Sequence, residues 1–404
     1  MAEALLNLVD VHVRRGMNTV LDGCSLPVEG GQIMALTGAN GAGKSTLLET
    51  AAGILPMEKG VVEHDGVVIA DAEGRRRPSP LTVGMVLQRN GMLGSEILSE
   101  HLNAAMTMSG RSVDIEPFLK AFHLQHRAND LVAHLSQGQA RKVAVLAGLL
   151  PAFASSTSSL VMLDEPDAGL DDASIATLCG WMTELRTMGH GLLVATHDER
   201  IVAHATHRFD VGQGTVNVAS PPVEAEVEAR NSKPVKPLSP RAFGVKIHLR
   251  TLMALNTNAM AGLITLGVLL ALGDFMENLD SLQRMGFILA PTLAAGMCGD
   301  PLVAALREER AGVWWRAVRG RQPHGAWIPF AIGAVFTFLA TTGFQEAREA
   351  HMLLVGGLLC FVLWHTVGWM QRSSDRLARP HAVFIGLLTP VLILPYSILI
   401  SVLS

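Results

Sequence analysis

Residues 31–54 read GQIMALTGANGAGKSTLLETAAGI. Four apolar residues at 33–36 suit a buried strand, a glycine-rich turn follows, and a helical pattern starts at Ser45. Residues 38–45 fit GxxxxGK[ST], in which glycines let backbone N–H groups wrap an anion and the next helix points its positive end at it. In that pattern Lys44 reaches the β- and γ-phosphates of a nucleotide and Ser45 offers its hydroxyl to Mg²⁺. Gly38, Asn40, Gly41, Gly43, Lys44, Ser45 and Thr46 are therefore the candidate nucleotide-binding residues. The loop alone does not say what the nucleotide powers.

Working outward, residues 158–172, SSLVMLDEPDAGLDD, form a second apolar run that ends in acids. Asp164 is placed to hold Mg²⁺. Neighbouring strand residues point to opposite faces, so Glu165 is free to polarise an attacking water. GLLVATHDER at 191–200 is a third strand. Such strands alternating with helical stretches predict an α/β domain with a largely parallel sheet.

With these motifs the chain resembles the ATP-binding cassette (ABC) family over residues 4–212. HLSQGQARK at 134–142 contains LSQGQ, which is similar to the family's signature. Gln88 in MVLQRN matches the Q-loop glutamine, AGLD at 168–171 the D-loop, and His197 in VATHD the switch histidine. The resemblance implies ATP and Mg²⁺ as ligands and ATP hydrolysis as the reaction. Glu165, His197 and Gln88 would be its catalytic residues, and Ser45, Gln88 and Asp164 would attend the metal. It also implies that Ser136, Gly138 and Gln139 close the nucleotide site of a second chain, aided by a helix dipole starting near Gln139. A chain with one cassette would then work as a dimer, with a second copy of itself or with a related half-transporter. Two positions depart from the family. Gln137 replaces the first glycine of the usual LSGGQ, adding bulk at the closed interface. Arg15 stands at the spacing where an aromatic residue usually stacks on adenine, and a flat guanidinium can also stack there.

The bulk numbers divide the chain. Of its 404 residues, 49% are hydrophobic. Residues 1–219 carry 16 Lys and Arg against 24 Asp and Glu, a net of −8, whereas residues 220–404 carry 16 against 12, a net of +4. An acidic half and a basic, apolar half suit different solvents, and nothing in this balance points to nucleic acid. The cysteines Cys24, Cys179, Cys298 and Cys360 are far apart and form no CxxC, which argues against a disulfide framework or a zinc site. The opening MAEALLNLVD lacks the basic-then-apolar pattern of a secretory signal, so the first half is expected in the cytoplasm.

ASPPVEAEVEARNSKPVKPLSPR at 219–241 holds five prolines and few large apolar residues, and reads as a linker. The expected domains are a nucleotide-binding domain at 1–215, a linker at 216–243 and a transmembrane domain at 244–404. The last contains apolar stretches at 251–273, 285–306, 325–344, 352–370 and 382–404, each near the roughly 20 residues that span a bilayer core. The expected fold is thus a P-loop NTPase domain followed by an all-α bundle of about five membrane helices. With a cytoplasmic N-terminus, the loop at 307–321 holds five arginines and that at 371–381 three, while the outer loops hold one each, Arg284 and Arg348. This follows the positive-inside rule for a multi-pass protein of the plasma membrane, in contact with lipid. The C-terminus is then outside, unless the segment around Pro390 and Pro395 folds back.

Residues 300–320, DPLVAALREERAGVWWRAVRG, begin with an Asp-Pro helix start. They resemble the cytoplasmic segment through which type-two ABC exporter permeases receive cassette movement, and are an expected contact with the acidic cassette. Asp300 is expected to cap a helix and His365 to pack against a neighbouring one. The cassette also looks like that of the haem exporter of cytochrome c maturation. The overall expectation is an ATP-driven exporter of unassigned substrate. Its rivals are a membrane ABC ATPase that transmits force or signal without transport, disfavoured by the short outer loops, and a soluble ABC ATPase acting on ribosomes or DNA, disfavoured by the apolar half.

Overall fold

The computed structural model describes residues 4–219, 226–273, 278–344, 350–373 and 382–403. Residues 220–225 of the expected linker, Arg348, the basic stretch 374–381 and Ser404 lie outside the described residues. The chain divides into two compact units, Met1–Ser239 with Glu309–Gln322, and Pro240–Glu308 with Pro323–Ser404.

The first unit carries β1 (Ala4–Arg15), β2 (Asn18–Glu29), β3 (Ile33–Thr37), β4 (Lys59–His64), β5 (Val67–Asp71) and β6 (Thr82–Val86). It continues with β7 (Arg111–Ser112), β8 (Ser159–Asp164), β9 (Gly191–Ala195), β10 (His207–Asp210), β11 (Thr215–Val218) and β12 (Lys233–Pro234). Its main helices are α1 (Lys44–Ala51), α2 (Leu98–Thr107), α3 (Glu116–Ala121), α4 (Gln137–Ala154), α5 (Asp172–Thr187) and α6 (Glu199–Ala203). A six-stranded sheet has the order β11-β10-β3-β9-β8-β6. All its neighbours are parallel except the β10–β11 edge pair. The runs SLVMLD and GLLVA are buried at every position, as expected of central parallel strands covered on both faces. A second, antiparallel sheet has the order β2-β1-β4-β5.

Within the stretch read as a linker, residues 226–239 belong to this unit, whereas Pro240 opens the helix Pro240–Thr251 of the second unit. Lys233 and Pro234 pair with Ser112 and Arg111, and Arg230 forms an ion pair with the buried Glu184. The distant segment Glu309–Gln322 belongs here too. Its helix Ala311–Arg319 starts after Arg310, at φ +56°, and stops at Gly320, at φ +70°. Trp314 and Trp315 are buried, and Trp314 Nε1 donates to the Met85 carbonyl of β6 at 2.9 Å. Arg310 reaches Glu49 of α1 at 2.7 Å, and Arg319 donates to the Met108 carbonyl at 2.9 Å. The expected contact between this segment and the cassette is therefore present.

The second unit is helical throughout its described elements. Pro240–Thr251 and Leu255–Ala271 form a pair bent by 59°, with Leu252 at φ +50° and a π-helical turn, Leu255–Ala259, at the break. Gln283–Glu308, 26 residues, and Ala350–Arg372, 23 residues, are long and apolar enough to cross a membrane. Three short segments make up the first, Ser281–Ile288, Ala290–Met297 and Pro301–Glu308, because Pro291 and Pro301 each lack the N–H needed to continue the ladder. Ile328–Gly343 has 16 residues, about 24 Å at 1.5 Å per residue, which is short of an upright crossing. By length and composition the described residues thus provide two crossing helices, or three with the bent pair, where the sequence suggested five. Ala382–Leu403 is one helix through Pro390 and Pro395 and does not fold back.

Close helix contacts in this unit rest on small residues. A Cβ on Gly356 would lie 1.8 Å from Thr337 Oγ1, so only glycine permits the approach of the Ala350–Ser373 helix to Ile328–Gly343. Asp300 caps its helix, accepting from Leu302 N at 3.0 Å, but does more than the expected cap. It also accepts from His248 Nε2 and from Gly325 N, each at 3.0 Å, and pairs with Arg372 at 3.5 Å. His365 donates from Nε2 to the Ala326 carbonyl at 3.0 Å, as a packed histidine would.

Candidate nucleotide site

The C-terminal ends of β3, β6, β8 and β9 bring the candidate residues to one edge of the sheet, where parallel α/β sheets bind ligands. After β3, Gly38 (φ +133°), Gly41 (φ +82°) and Gly43 (φ +103°) take backbone conformations that residues with a Cβ resist. Asn40 is exposed at the loop's tip. Lys44 opens α1 and is buried; its ammonium donates to the carbonyls of Gly38 at 2.8 Å and Ala39 at 3.0 Å. Thr46 is buried in the first turn of that helix.

Ser45 Oγ donates to Asp164 Oδ1 at 2.9 Å. Asp164 is fully buried, and its Oδ2 has no hydrogen-bond partner. Burial pushes its carboxyl up to about 6, with Glu165 and Glu49 adding to the rise and the Ser45 hydrogen bond and Arg141 opposing it. A hydroxyl and an orphaned buried carboxylate oxygen are hard donors that fit Mg²⁺. Glu165 follows at φ +46°, a left-handed conformation that costs about 1–2 kcal/mol for a residue with a side chain. Its N–H donates to the Ala195 carbonyl at 2.7 Å, which binds this turn to the end of β9. His197 lies just past that end and is exposed. The preceding Thr196 is buried and donates to Asp167 Oδ1 at 2.6 Å. Gln88, also exposed, follows β6, which is paired to β8 through Val86 and Leu163.

The signature residues stand at the start of α4, beside the turn that follows β8. Helix α4 starts at Gln137, two residues before the expected Gln139, because Ser136 and Gln139 form a reciprocal capping box. Ser136 Oγ accepts from Gln139 N at 3.3 Å, and Gln139 Oε1 accepts from Ser136 N at 3.0 Å. A Cβ on Gly138 would meet the Gly169 carbonyl at 3.0 Å, so the signature packs on the AGLD turn. Lys142 pairs with Asp171 of that turn at 2.7 Å. Among the described residues no hydrogen bond joins Ser136, Gly138 or Gln139 to the phosphate loop of the same chain. Arg15, at the end of β1, is half-exposed and pairs with Glu49 at 3.4 Å.

Two residues of this edge escaped the sequence reading. Arg141 is buried in α4 and donates to the carbonyls of Leu87, Asp164 and Glu165 at 2.7, 2.5 and 2.6 Å, and to Asn90 Oδ1 at 3.2 Å. It ties the signature helix to the acids and to the strand that precedes Gln88. Its spacing from Val145 and Leu149, on the buried face of an apolar helix, was the available signal. Glu49 is the other, a buried carboxylate shared by Arg15 and Arg310.

The ABC transporter family model matches residues 21–168. The cytochrome c biogenesis ATP-binding export protein CcmA of Gluconobacter oxydans is 36% identical over 193 residues, 48% of this chain and 81% of that protein. The ABC-type transporter ATP-binding protein EcsA of Bacillus subtilis is 33% identical over 201 residues, 48% of this chain and 77% of that protein. The zinc import ATP-binding protein ZnuC of Paramagnetospirillum magneticum is 34% identical over 206 residues, 50% of this chain and 71% of that protein. The chain belongs to the ABC transporter family. It is an ATP-hydrolysing enzyme with a P-loop ABC ATPase fold in its N-terminal half.

Proposed function

We propose that the chain is a half-transporter of the plasma membrane that exports a substrate by ATP hydrolysis at the interface of two cassettes. The observation that carries this reading is the seating of Glu309–Gln322 in the cassette unit. A segment that lies in sequence between apolar, membrane-length helices is built onto the strand that leads to Gln88, through the Trp314–Met85 hydrogen bond. Further support comes from Leu354, Leu358, Val362 and Trp369, exposed on the Ala350–Ser373 helix, which suit lipid better than water. Export is favoured by the resemblance of residues 300–320 to exporter permeases and by the relative CcmA being an export protein, although the ZnuC relative is an importer.

In this mechanism the N–H groups of the Gly38–Thr46 loop and the Lys44 ammonium hold the phosphates. Ser45 and Asp164, with Gln88 beside them, would hold Mg²⁺, which neutralises phosphate charge when bound. Glu165 takes the proton of the attacking water, and His197 of the adjacent strand end steadies the γ-phosphate and that water. Ser136, Gly138 and the positive end of α4 serve the phosphate held by a second copy or a related half-transporter. That no hydrogen bond joins them to the phosphate loop of their own chain, among the described residues, favours that arrangement. Arg141 makes the signature helix and the acids move as one body. Closure of the pair shifts the strand beneath Trp314, and the movement passes to the membrane half.

The test is ATP-driven accumulation in inside-out vesicles, comparing wild type with Glu165→Gln by untargeted mass spectrometry of the contents. A compound enriched only by wild type with ATP is the expected result and names the substrate class. Equal contents alongside full ATP hydrolysis by wild type would overturn the transport reading.

A further inference from the structure

Beside the Ala311–Arg319 helix, the cassette unit has a partly open cavity of about 80 Å³. Arg76, Arg77, His64, Ser79 and Arg316 supply its polar lining, and none of the lining residues is acidic. Here the acidic cassette gathers cations, because Arg75, Arg76 and Arg77 are consecutive in GRRRPSP at 74–80. Arg76 is anchored by donating to the carbonyls of Gly53 and Ile54. Burial first, and then the positive charge of Arg316, hold its guanidinium below the ordinary value. Arg77 and Arg316 are exposed and, among the described residues, neither has a carboxylate partner. The neighbouring Arg75 takes up the nearby acids, pairing with Asp71 at 3.4 Å and Glu73 at 3.6 Å. His64 adds no charge, since burial pushes it down to about 4; its Nε2 meets the Ala51 carbonyl at 2.9 Å and its Nδ1 meets Ser79 Oγ at 2.8 Å.

The wall of the cavity is fixed by fit. A Cβ on Gly320, already at φ +70°, would lie 2.7 Å from Pro78 Cγ. Arg316 is therefore held facing the GRRRPSP loop by a contact that only glycine allows. Like charges held around a cavity without a counter-ion repel, and an anion reverses the sign of that interaction. Guanidinium forks match phosphate oxygens in particular.

We propose that this cavity binds the phosphate of an anionic phospholipid headgroup of the inner leaflet. The source of the phosphate follows from connectivity. Arg316 and Gly320 lie between the membrane-length run Gln283–Glu308 and the apolar helix Ile328–Gly343, and a basic segment so placed sits at the lipid surface. That step rests on the proposed membrane-spanning function. Occupancy would brace the segment that carries movement between cassette and spans, making ATP turnover sensitive to anionic lipid.

The experiment uses the full chain in nanodiscs of phosphatidylcholine alone or with phosphatidylglycerol, reading lipid retained in native mass spectra and ATP turnover. Wild type is expected to retain phosphatidylglycerol over phosphatidylcholine. The double variant Arg77→Gln/Arg316→Gln should need about tenfold more of it for the same retention. Arg77→Lys/Arg316→Lys, which keeps the charge, should recover part of the loss. Equal retention of the two lipids by wild type in intact nanodiscs would overturn the proposal. So would inorganic phosphate or glycerol phosphate displacing phosphatidylglycerol at equal concentration, which would make the ligand a free phosphate. Failure of the chain to enter nanodiscs at all would instead count against the membrane reading. If the double variant misfolds, the phosphatidylcholine and phosphatidylglycerol arms on wild type still decide.

Discussion

The cassette is specified by residue identities at fixed spacings and the apolar half by composition alone, so the two halves of one chain carry different amounts of structural detail in their sequences. In the cassette, chemistry demands particular residues at particular spacings. Gly38, Gly41 and Gly43 must take positive φ, Ser45 must reach Asp164, and Ser136 must cap α4 onto Gln139. In the apolar half any sequence of apolar residues satisfies a lipid environment, so composition marks where helices lie but not where they bend or stop. Leu252, Pro291 and Pro301 interrupt stretches that hydropathy alone runs together.

The largest expected effect probes the cassette side. Glu165→Gln should lower ATP turnover by about 10²–10⁴-fold while nucleotide binding persists, as a fluorescent ATP analogue would report. Turnover near wild type would remove Glu165 from its proposed role. Lys44→Ala and Ser136→Ala should each be inactive alone. Co-expressed, they should recover part of the activity, since a mixed dimer rebuilds one intact site. An absence of recovery would argue that both sets of residues act within one chain.

What stayed hidden in the sequence has a common physical cause. Arg141, Glu49 and Asp300 are buried charges whose partners are main-chain carbonyls, main-chain N–H groups or residues far away in sequence. No local pattern announces such partners. The contact of residues 300–320 with the cassette was legible, but not the partner of Trp314, because Met85 is more than half the chain away. Hydropathy likewise marks apolar stretches without fixing which helices in them are long enough to cross, as the 16-residue helix Ile328–Gly343 shows.

Both halves nonetheless pin their segments with a buried charge, and equal sensitivity there would narrow the contrast between them. Arg141→Met removes the guanidinium that donates to the carbonyls of Leu87, Asp164 and Glu165, and Asp300→Leu removes the acceptor of His248 Nε2 and of the Gly325 N–H. Each should cost about 3–5 kcal/mol, read as loss of the cooperative thermal transition of its own unit. A milder loss for Asp300→Leu would mean that apolar packing alone suffices in the second unit.

Acid should separate the halves again. His190 is buried in the cassette and its Nδ1 accepts from Ser159 N at 3.0 Å, while burial holds it at about 4, as it does His64. Between about 6.5 and 4 the unfolded chain binds a proton at each position and the folded cassette does not. Stability is therefore complete above about 6.5 and falls as the pH drops, by of order 3 kcal/mol per histidine at 1.4 kcal/mol per unit. Thermal midpoints of wild type and His190→Asn, compared between neutral and mildly acid buffer, should show a shallower slope for the variant. Parallel slopes would mean that His190 already takes up its proton in the fold.

The smallest effect falls where the comparison is hardest to draw. Trp314 belongs to the apolar half by sequence and to the cassette by packing. Trp314→Phe keeps most of the aromatic surface and removes only the Nε1 donor to the Met85 carbonyl, costing about 1 kcal/mol and a few degrees of thermal midpoint. ATP turnover should stay within about twofold, because the change leaves the phosphate loop and Glu165 intact. Vesicle accumulation should fall further than turnover if the hydrogen bond lies on the proposed route of movement from β6 to the membrane half. If both fall in the same proportion, Trp314 only holds the segment in place, and the passage of movement must be sought elsewhere, first at the Arg310–Glu49 ion pair.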